Sequence, residues 1–205
     1  HLEKATELEI RMQAIFARRE PYEFLRDLVA GGPLADPLLE RQVKLMHDGF
    51  RAKQLPEALL NRQVELANQL QQSFTTFRAE FEGQRVADNT LREVLSGSRD
   101  VARRRAAWEA LKQIGAEVEG TLLELVGLRN EGARALGYDN FYSMSLELDE
   151  LDETELFALL DELERGTQPL WDEYKRGLDA TLAARHGITP AELRPWHYED
   201  PFFQE

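Results

Sequence analysis

Residues 98–137 read SRDVARRRAAWEALKQIGAEVEGTLLELVGLRNEGARALG, and this stretch decides the fold class. Ser98 is a residue type that caps the start of a helix, and Gly137 suits the position just after its end. Apolar residues recur between them at helical spacing, at Val101, Trp108, Leu111, Val118, Leu122, Leu125 and Leu136. The stretch therefore predicts one helix over residues 98–136, roughly 55–60 Å long at 1.5 Å per residue.

Three glycines lie inside this predicted helix, at Gly115, Gly120 and Gly127. Each costs about 1 kcal/mol relative to alanine in a helix interior. Close packing of a neighbouring helix would explain them, and a kink would serve as well.

The rest of the chain also favours helix, because Leu is abundant, Val and Ile are scarce, and no segment shows a convincing alternation of period two. Capping signals and glycines predict further helices over about 2–19, 21–30, 37–52, 56–82, from 90, 140–146, 152–185 and from 190. Two more apolar stripes are expected to form core, one at Leu60, Ala67, Leu70, Phe74, Phe77 and Phe81, the other at Leu156, Leu160, Leu163, Leu170, Tyr174, Leu178 and Leu182. We predict an all-α fold, a bundle of long antiparallel helices.

Charge and cysteine content exclude several function classes. The chain has 25 basic and 38 acidic residues, a net charge of −13, and no cysteine. The acidic excess argues against a nucleic-acid partner and against an anionic membrane surface, and no apolar run is long enough for a transmembrane helix. Without cysteine there is no disulfide scaffold, thiolate zinc site or Cys nucleophile. This composition fits a reducing compartment, and we expect a cytoplasmic protein.

The ends of the chain suggest a fragment. It starts at His1 without a basic-then-apolar leader, and it stops in the aromatic segment at residues 201–205. We therefore expect these residues to be part of a longer polypeptide.

No catalytic motif is found. A zinc hydrolase of the HExxH type needs two imidazoles one helical turn apart, but the histidines are His1, His47, His186 and His197. The Glu-x-x-His pairs of di-iron bundles are also missing, as are Gly-rich phosphate loops and a G-x-S-x-G elbow. We assign no catalytic, cofactor-binding or metal-binding residue in this chain.

His197, Glu199 and Asp200 form the densest set of possible ligands. They could be a partial metal or acid–base site, but a solvated turn before Pro201 is the favoured interpretation, because three ligands need a converging geometry. His186 is expected to be an imidazolium that caps a helix C-terminus, where the helix dipole favours it.

Two charge clusters have alternative interpretations. The acidic residues between Glu147 and Glu164 could steer a cationic partner, or they could form a solvated helix N-terminus that complements the dipole. Arg103, Arg104 and Arg105 are expected to form surface pairs with neighbouring acids.

A set of short motifs goes beyond fold class, and its order and spacing are hard to obtain by chance. The pieces are Leu95-Ser96-Gly97-Ser98-Arg99, Ala107-Trp108-Glu109, Asn130-Glu131-x-Ala133-Arg134-x-Leu136-Gly137-Tyr138, Gln168-Pro169-Leu170-Trp171 and Arg185-His186-Gly187. Over residues 90–205 this pattern resembles the N-terminal helical half of the angiotensin-converting-enzyme-like zinc metallopeptidases. The oligoendopeptidases and thimet-type oligopeptidases are broader relatives of that family.

The resemblance implies a mostly helical, two-lobed peptidase with a deep cleft, in which the HExxH helix and the further Glu ligand lie beyond this chain. Zinc would then belong to the full-length enzyme, where a metal-activated water and a Glu general base hydrolyse short peptides. Residues 1–205 would be one helical domain of its N-terminal lobe, with lid-like helices in 1–87 and scaffold helices in 88–205. Its partners would be the C-terminal catalytic half of the same polypeptide and short peptide substrates.

The resemblance leaves some features open. Trp196, Tyr198, Phe202 and Phe203 could line the cleft or the seam to the missing half, or they could be core. An Arg that binds chloride in animal members is expected after the Leu-Gly-Tyr turn, where Phe141-Tyr142-Ser143-Met144 stands, and a Tyr is expected near Gly177. These differences imply a prokaryote-like member without chloride activation.

Two other functions remain possible. The long amphipathic helices and the acidic face would also suit a non-catalytic helical interaction module. A ligand-binding bundle without chemistry is a further alternative. A homo-oligomer is possible in each case.

Overall fold

The computed structural model describes residues 2–202 of the chain. It contains eight α-helices: α1 (Leu2–Phe16), α2 (Arg19–Ala30), α3 (Pro37–Arg51), α4 (Glu57–Thr76), α5 (Asp88–Gly97), α6 (Val101–Ala135), α7 (Phe141–Leu148) and α8 (Glu153–His186). Strands β1 (Ala79–Phe81) and β2 (Gln84–Val86) form one antiparallel hairpin, and single 3₁₀ turns lie at Pro190–Glu192 and Pro195–His197. The predicted all-α class is confirmed. None of the helices within 2–202 is both long and apolar enough to cross a bilayer.

The chain divides into two compact units. Unit 1 consists of the residues up to Gln72 together with Gly120–Phe157, and unit 2 consists of Ser73–Glu119 together with the residues from Ala158 onward. Each boundary lies inside a helix, in α4, α6 or α8. The assignment of 1–87 as lid and 88–205 as scaffold concerns roles in a larger enzyme and stays a prediction.

The core of unit 1 is formed by α2, α3, α4, α6 and α7. Its buried side chains are Leu25, Phe50, Leu60, Leu66, Leu125, Ala133 and Met144. The Phe16 and Phe50 rings are in contact, with centroids 5.1 Å apart. At Gly132 the segment around Leu55 approaches α6 so closely that a Cβ would be 2.8 Å from Leu55 Cδ1.

The core of unit 2 lies between the hairpin, α5 and α6. Its buried cluster is Ala79, Phe81, Leu91, Val94, Ala107 and Ala110. The Gln113 side chain of α6 pairs with the backbone of β1: its Oε1 accepts from the Glu80 N–H at 2.8 Å and its Nε2 donates to the Glu80 carbonyl at 2.9 Å. This pairing ties the edge of the hairpin to the long helix.

The hairpin corrects the predicted helix over 56–82. Helix α4 ends at Thr76, and Glu82 and Gly83 have φ of 51° and 75°. Positive φ at both central residues is the mark of a two-residue hairpin turn, and Phe81 pairs with Gln84 across it. Phe81 therefore packs into the core from strand β1, and Phe77 packs from the segment just before that strand. Neither residue belongs to a helical stripe.

Most predicted helix ends are confirmed. The Asp36 carboxylate accepts from the Leu38 N–H at 2.9 Å, and Asp152 accepts from the Glu155 N–H at 2.9 Å. Gly137 and Gly187 follow α6 and α8 with φ of 92° and 66°, the left-handed conformation that glycine favours there.

Four other predicted helix ends were wrong, and one of them is the start of α2, which lies at Arg19 and not at Pro21. Helix α1 ends at Phe16, and α5 begins at Asp88, not at Thr90. Helix α6 is capped by Asp100, whose carboxylate accepts from the Ala102 N–H at 2.9 Å. Ser98 is instead the extended residue after α5, and its hydroxyl oxygen accepts from the Asp100 N–H.

The predicted core stripe of α8 was wrong over most of its length. Leu160, Leu163, Leu170 and Tyr174 are 47–71% exposed, and only Leu182 of that stripe is fully buried. Likewise, no atom of the described chain lies within 4 Å of a Cβ built on the glycines inside α6, Gly115, Gly120 and Gly127. Helical periodicity shows that a face is apolar, but it does not show what covers that face.

Candidate functional site

The three residues predicted as possible ligands do not converge. The His197 Nδ1 accepts from the Arg194 N–H at 2.7 Å, and Glu199 forms an ion pair with Arg185. Asp200 forms an ion pair with Arg92 at 3.3 Å. Each of the three side chains thus has a separate partner, so this segment forms no site by itself. His1 lies outside the described residues.

His197 instead meets His186, and the two ring centroids are 4.9 Å apart. Burial lowers the pKa of both imidazoles, and nearby Arg104 lowers both further. His186 does end α8, as predicted, but its surroundings favour the neutral ring over the expected imidazolium. A neutral ring at His197 also fits its role as acceptor, since an imidazolium has no acceptor nitrogen.

Arg104 is the centre of this region. Only 2% of the residue is exposed, and its guanidinium donates to three carbonyls: Trp196 O at 2.7 Å, Ser98 O at 3.1 Å and Tyr198 O at 3.0 Å. The predicted surface pairing of this residue was wrong. Its neighbours behave as predicted, with Arg103 paired to Glu82 and Arg105 to Glu109, each at 2.8 Å.

The aromatic residues of the C-terminal segment have different surroundings. Trp196 contacts Trp108 edge to face, with centroids 5.9 Å apart. Tyr198 is buried, and its hydroxyl lies 2.7 Å from Lys175 Nζ and 2.8 Å from Asp179 Oδ1. Phe202 is 63% exposed, and Phe203 lies outside the described residues. Packing within unit 2 thus accounts for Trp196 and Tyr198.

A cavity of about 450 Å³ opens beside Arg104. Two motif pieces that are far apart in sequence meet there, because Ser98 and Arg99 line one part of it and Arg185 and His186 another. The remaining lining residues are Ser96, Gly97, Arg104 and Glu199. Sequence reasoning singled out both pieces but could not place them together, since only the fold of unit 2 joins them.

Other motif residues hold the end of α6 in unit 1. The Asn130 side chain accepts from the Phe141 N–H at 2.9 Å, at the start of α7. The Tyr138 hydroxyl donates to Glu147 at 3.0 Å, and burial together with this bond raises the pKa of Tyr138. This part of the motif therefore fixes the turn between α6 and α7.

Several acids of the 147–164 segment have local structural partners. Glu150 pairs with Arg41 at 2.7 Å and with Lys44 at 3.2 Å, and it has a φ of 59°. Glu153 accepts from the Ser143 hydroxyl, and Asp152 caps α8. The helix N-terminus interpretation fits Asp152, and steering of a cationic partner stays a prediction.

The described residues do not fit a zinc ion. No group of three or more His, Asp or Glu side chains converges within 2–202 in a way that could hold a metal. The His186–His197 pair lies beside Arg104 and Arg185, and a cation bound there would be repelled by both guanidinium groups. We therefore assign no metal-dependent catalytic step to these residues.

A second feature of unit 2 is a row of exposed apolar side chains on α8. We call it the α8 apolar face, and its members, 45–71% exposed, are Leu159, Leu160, Leu163, Leu170, Trp171 and Tyr174. Leu170 and Trp171 belong to the Gln-Pro-Leu-Trp motif piece. Several large apolar side chains exposed along one helix are typical of a surface that another protein segment covers.

The comparisons with known proteins agree with the motif pattern. The family model described as angiotensin-converting enzyme, a peptidase family, matches residues 20–189. No curated protein and no solved structure matches the chain.

Proposed function

Because the chain belongs to the angiotensin-converting enzyme family of peptidases, we propose that it is the N-terminal helical part of a zinc-dependent peptidase that hydrolyses short peptides. The carrying observation is the family match over residues 20–189. It extends the resemblance, which covered residues 90–205, toward the N-terminus and includes α2, α3 and α4. In this proposal residues 1–87 supply lid helices and residues 88–205 supply scaffold.

The zinc ligands and the general base belong, in this proposal, to an HExxH helix elsewhere in the same polypeptide. The surroundings of the His186–His197 pair support this, because its positive neighbours disfavour a cation. The metal would supply an activated water for peptide hydrolysis, and the chain described here would supply the walls that limit entry to short peptides.

The α8 apolar face supports a missing partner within the polypeptide. Leu163 and Leu170 are 54% and 71% exposed, and burying a large apolar side chain contributes about 1.5–3 kcal/mol. The catalytic half of the enzyme is the proposed cover. A cytoplasmic location is part of the proposal and rests on the absence of cysteine.

The test compares the protein encoded by the complete open reading frame with the 205-residue chain. We expect the complete protein to cleave fluorogenic short peptides, to lose that activity with a chelator, and to regain it with zinc. The 205-residue chain is expected to cleave nothing and to contain no stoichiometric zinc. A complete protein in which the Glu of HExxH is replaced by Gln is the matched control.

The alternative is a non-catalytic helical interaction module, which the α8 apolar face would also suit. A reading frame that stops soon after Glu205, without HExxH, would favour that alternative. One tight zinc per 205-residue chain, or peptide cleavage by it, would refute the division of roles proposed above.

A further inference from the structure

The cavity beside Arg104 is positively charged in a strongly acidic protein. Three arginines line it, Arg99, Arg104 and Arg185, against one carboxylate, Glu199. The whole chain carries a net charge of −13, so its general field repels anions. Any attraction of an anion to this cavity must therefore come from these local cations.

The charge of Arg104 has no direct counter-ion among the described residues. Its three hydrogen bonds go to neutral carbonyl oxygens, and Glu199, the carboxylate that lines the cavity with it, is paired with Arg185. A buried charge is costly unless an opposite charge compensates it. An anion in the cavity would supply that compensation.

Further donors line the same cavity. Arg99 is exposed and forms no hydrogen bond or ion pair with the rest of the described chain. The His186 Nε2 atom is buried and has no hydrogen-bond partner within residues 2–202, and it can donate to an anion when the neutral ring carries its proton on that nitrogen. The Ser98 hydroxyl oxygen accepts from Asp100 N–H at 3.2 Å, which leaves its own hydrogen available to donate.

From this cluster we propose that the cavity binds a small inorganic oxyanion of the phosphate class. Guanidinium groups match oxyanions because their paired N–H donors fit two oxygens at once, and the hydroxyl and imidazole groups add single contacts. A volume of about 450 Å³ leaves room for a tetrahedral anion with bridging water. The inference stands apart from the proposed peptidase activity, because only residues of unit 2 carry it.

The test is calorimetric titration of the 205-residue chain with sodium phosphate at constant ionic strength, with sodium chloride in a parallel arm. We expect saturable binding of phosphate, at least ten-fold weaker binding in Arg99→Gln and in Arg185→Gln, and no saturable signal with chloride. Glu199→Gln is expected to bind at least three-fold more tightly, because it removes the competing carboxylate from Arg185.

Arg103→Gln is the matched control, since Arg103 is a paired surface arginine of the same unit, and its affinity is expected to stay within two-fold of the wild type. Thermal unfolding of each variant checks that it is folded. A readout independent of the arginine variants is NMR of the histidine rings, where phosphate should shift His186 but not His47. Absence of saturable binding, an equal loss in Arg103→Gln, an equal response to chloride, or an unmoved His186 ring would each overturn the proposal.

Discussion

Arg104 joins two turns that are distant in sequence. Its guanidinium donates to the carbonyl of Ser98, six residues earlier in the chain. It also donates to the carbonyls of Trp196 and Tyr198, which lie 92 and 94 residues later. Burial lowers its pKa, yet arginine remains charged in proteins. Removing this side chain would take a charged donor from all three carbonyls at once, so the local structure depends on it.

Arg104→Met should therefore be strongly destabilising. Hydrogen bonds to charged groups are worth roughly 1.5–3 kcal/mol each, and this substitution removes three of them, so we expect the free energy of unfolding to fall by about 3 kcal/mol or more. Arg103→Met, which removes a surface ion pair with Glu82 and a contact with the Phe81 ring, should change it by less than about 1 kcal/mol. Urea unfolding of both variants measures this, and equal losses would contradict the role of Arg104.

The histidine pair makes the stability of unit 2 depend on pH. The pKa values of His186 and His197 lie below the ordinary 6.5, so the folded state binds fewer protons than the unfolded state. Their contribution to stability is therefore complete above about pH 6.5 and is lost as the pH falls below it.

His197→Asn should weaken this dependence, because the amide oxygen can still accept from the Arg194 N–H but does not titrate. We expect the urea midpoint of the wild type to drop more between pH 7.5 and 5.5 than that of the variant. His47→Asn is the control for loss of an imidazole outside the pair. A wild-type drop matched by His197→Asn would show that the pair does not titrate as described.

At the scale of elements, α6 contains glycines in two different environments. A Cβ at Gly127 would meet nothing within 4 Å, whereas one at Gly132 would be 2.8 Å from Leu55 Cδ1 and 3.4 Å from Leu59 Cδ2. Both residues lie in the same helix and in the same unit, so helix propensity favours alanine equally at the two positions.

Gly127→Ala should stabilise the 205-residue chain by up to about 1 kcal/mol, because alanine is the better helix former. Gly132→Ala should be less stable than Gly127→Ala by about 1 kcal/mol or more, because the Leu55 side chain must move away from the added methyl group. Thermal unfolding of the two variants is the measurement. If Gly132→Ala proved as stabilising as Gly127→Ala, the close approach at Leu55 would be refuted.

The elements that sequence reasoning predicted correctly are those with local causes. The residues that cap or end helices act within one helical turn, so a short segment of sequence is enough to predict their roles. They are Asp36, Asp152, Gly137 and Gly187. The hairpin was missed because three-residue strands are too short to show alternation, although the Glu82-Gly83 turn was a usable signal.

The cavity beside Arg104 could not have been predicted from local patterns. Its lining residues come from the end of α5 and the turn after it, from α6, from the end of α8 and from the C-terminal segment. The prediction that the apolar stripe of α8 forms core failed for a related reason. Amphipathic spacing is the same whether the apolar face of a helix packs against its own chain or against another one.

At the scale of the whole molecule, a net charge of −13 opposes association, while the α8 apolar face favours it. We expect the 205-residue chain to self-associate with rising concentration, and Leu163→Glu with Leu170→Glu to abolish this without loss of thermal stability, because both side chains are exposed. Sedimentation velocity over a concentration series measures it.

The matched control adds the same charges to the other side of α8, with Ala158→Glu and Ala180→Glu, which are exposed positions outside the α8 apolar face by helical spacing. That variant should still self-associate. A wild-type chain that stays monomeric at every concentration would show that the α8 apolar face does not drive self-association.

The discontinuous make-up of the two units sets an order of events during synthesis on the ribosome. Arg104 emerges 92 residues ahead of the first of its C-terminal acceptors, and at about 5–20 residues per second this delay amounts to roughly 5–20 s. Over that interval the guanidinium stays hydrated, and the segment between α5 and α6 lacks the C-terminal segment against which it packs. A nascent chain of this protein thus carries an incomplete second unit from the synthesis of Ser73 until Tyr198 has emerged, and its core residues can bind chaperones during that period.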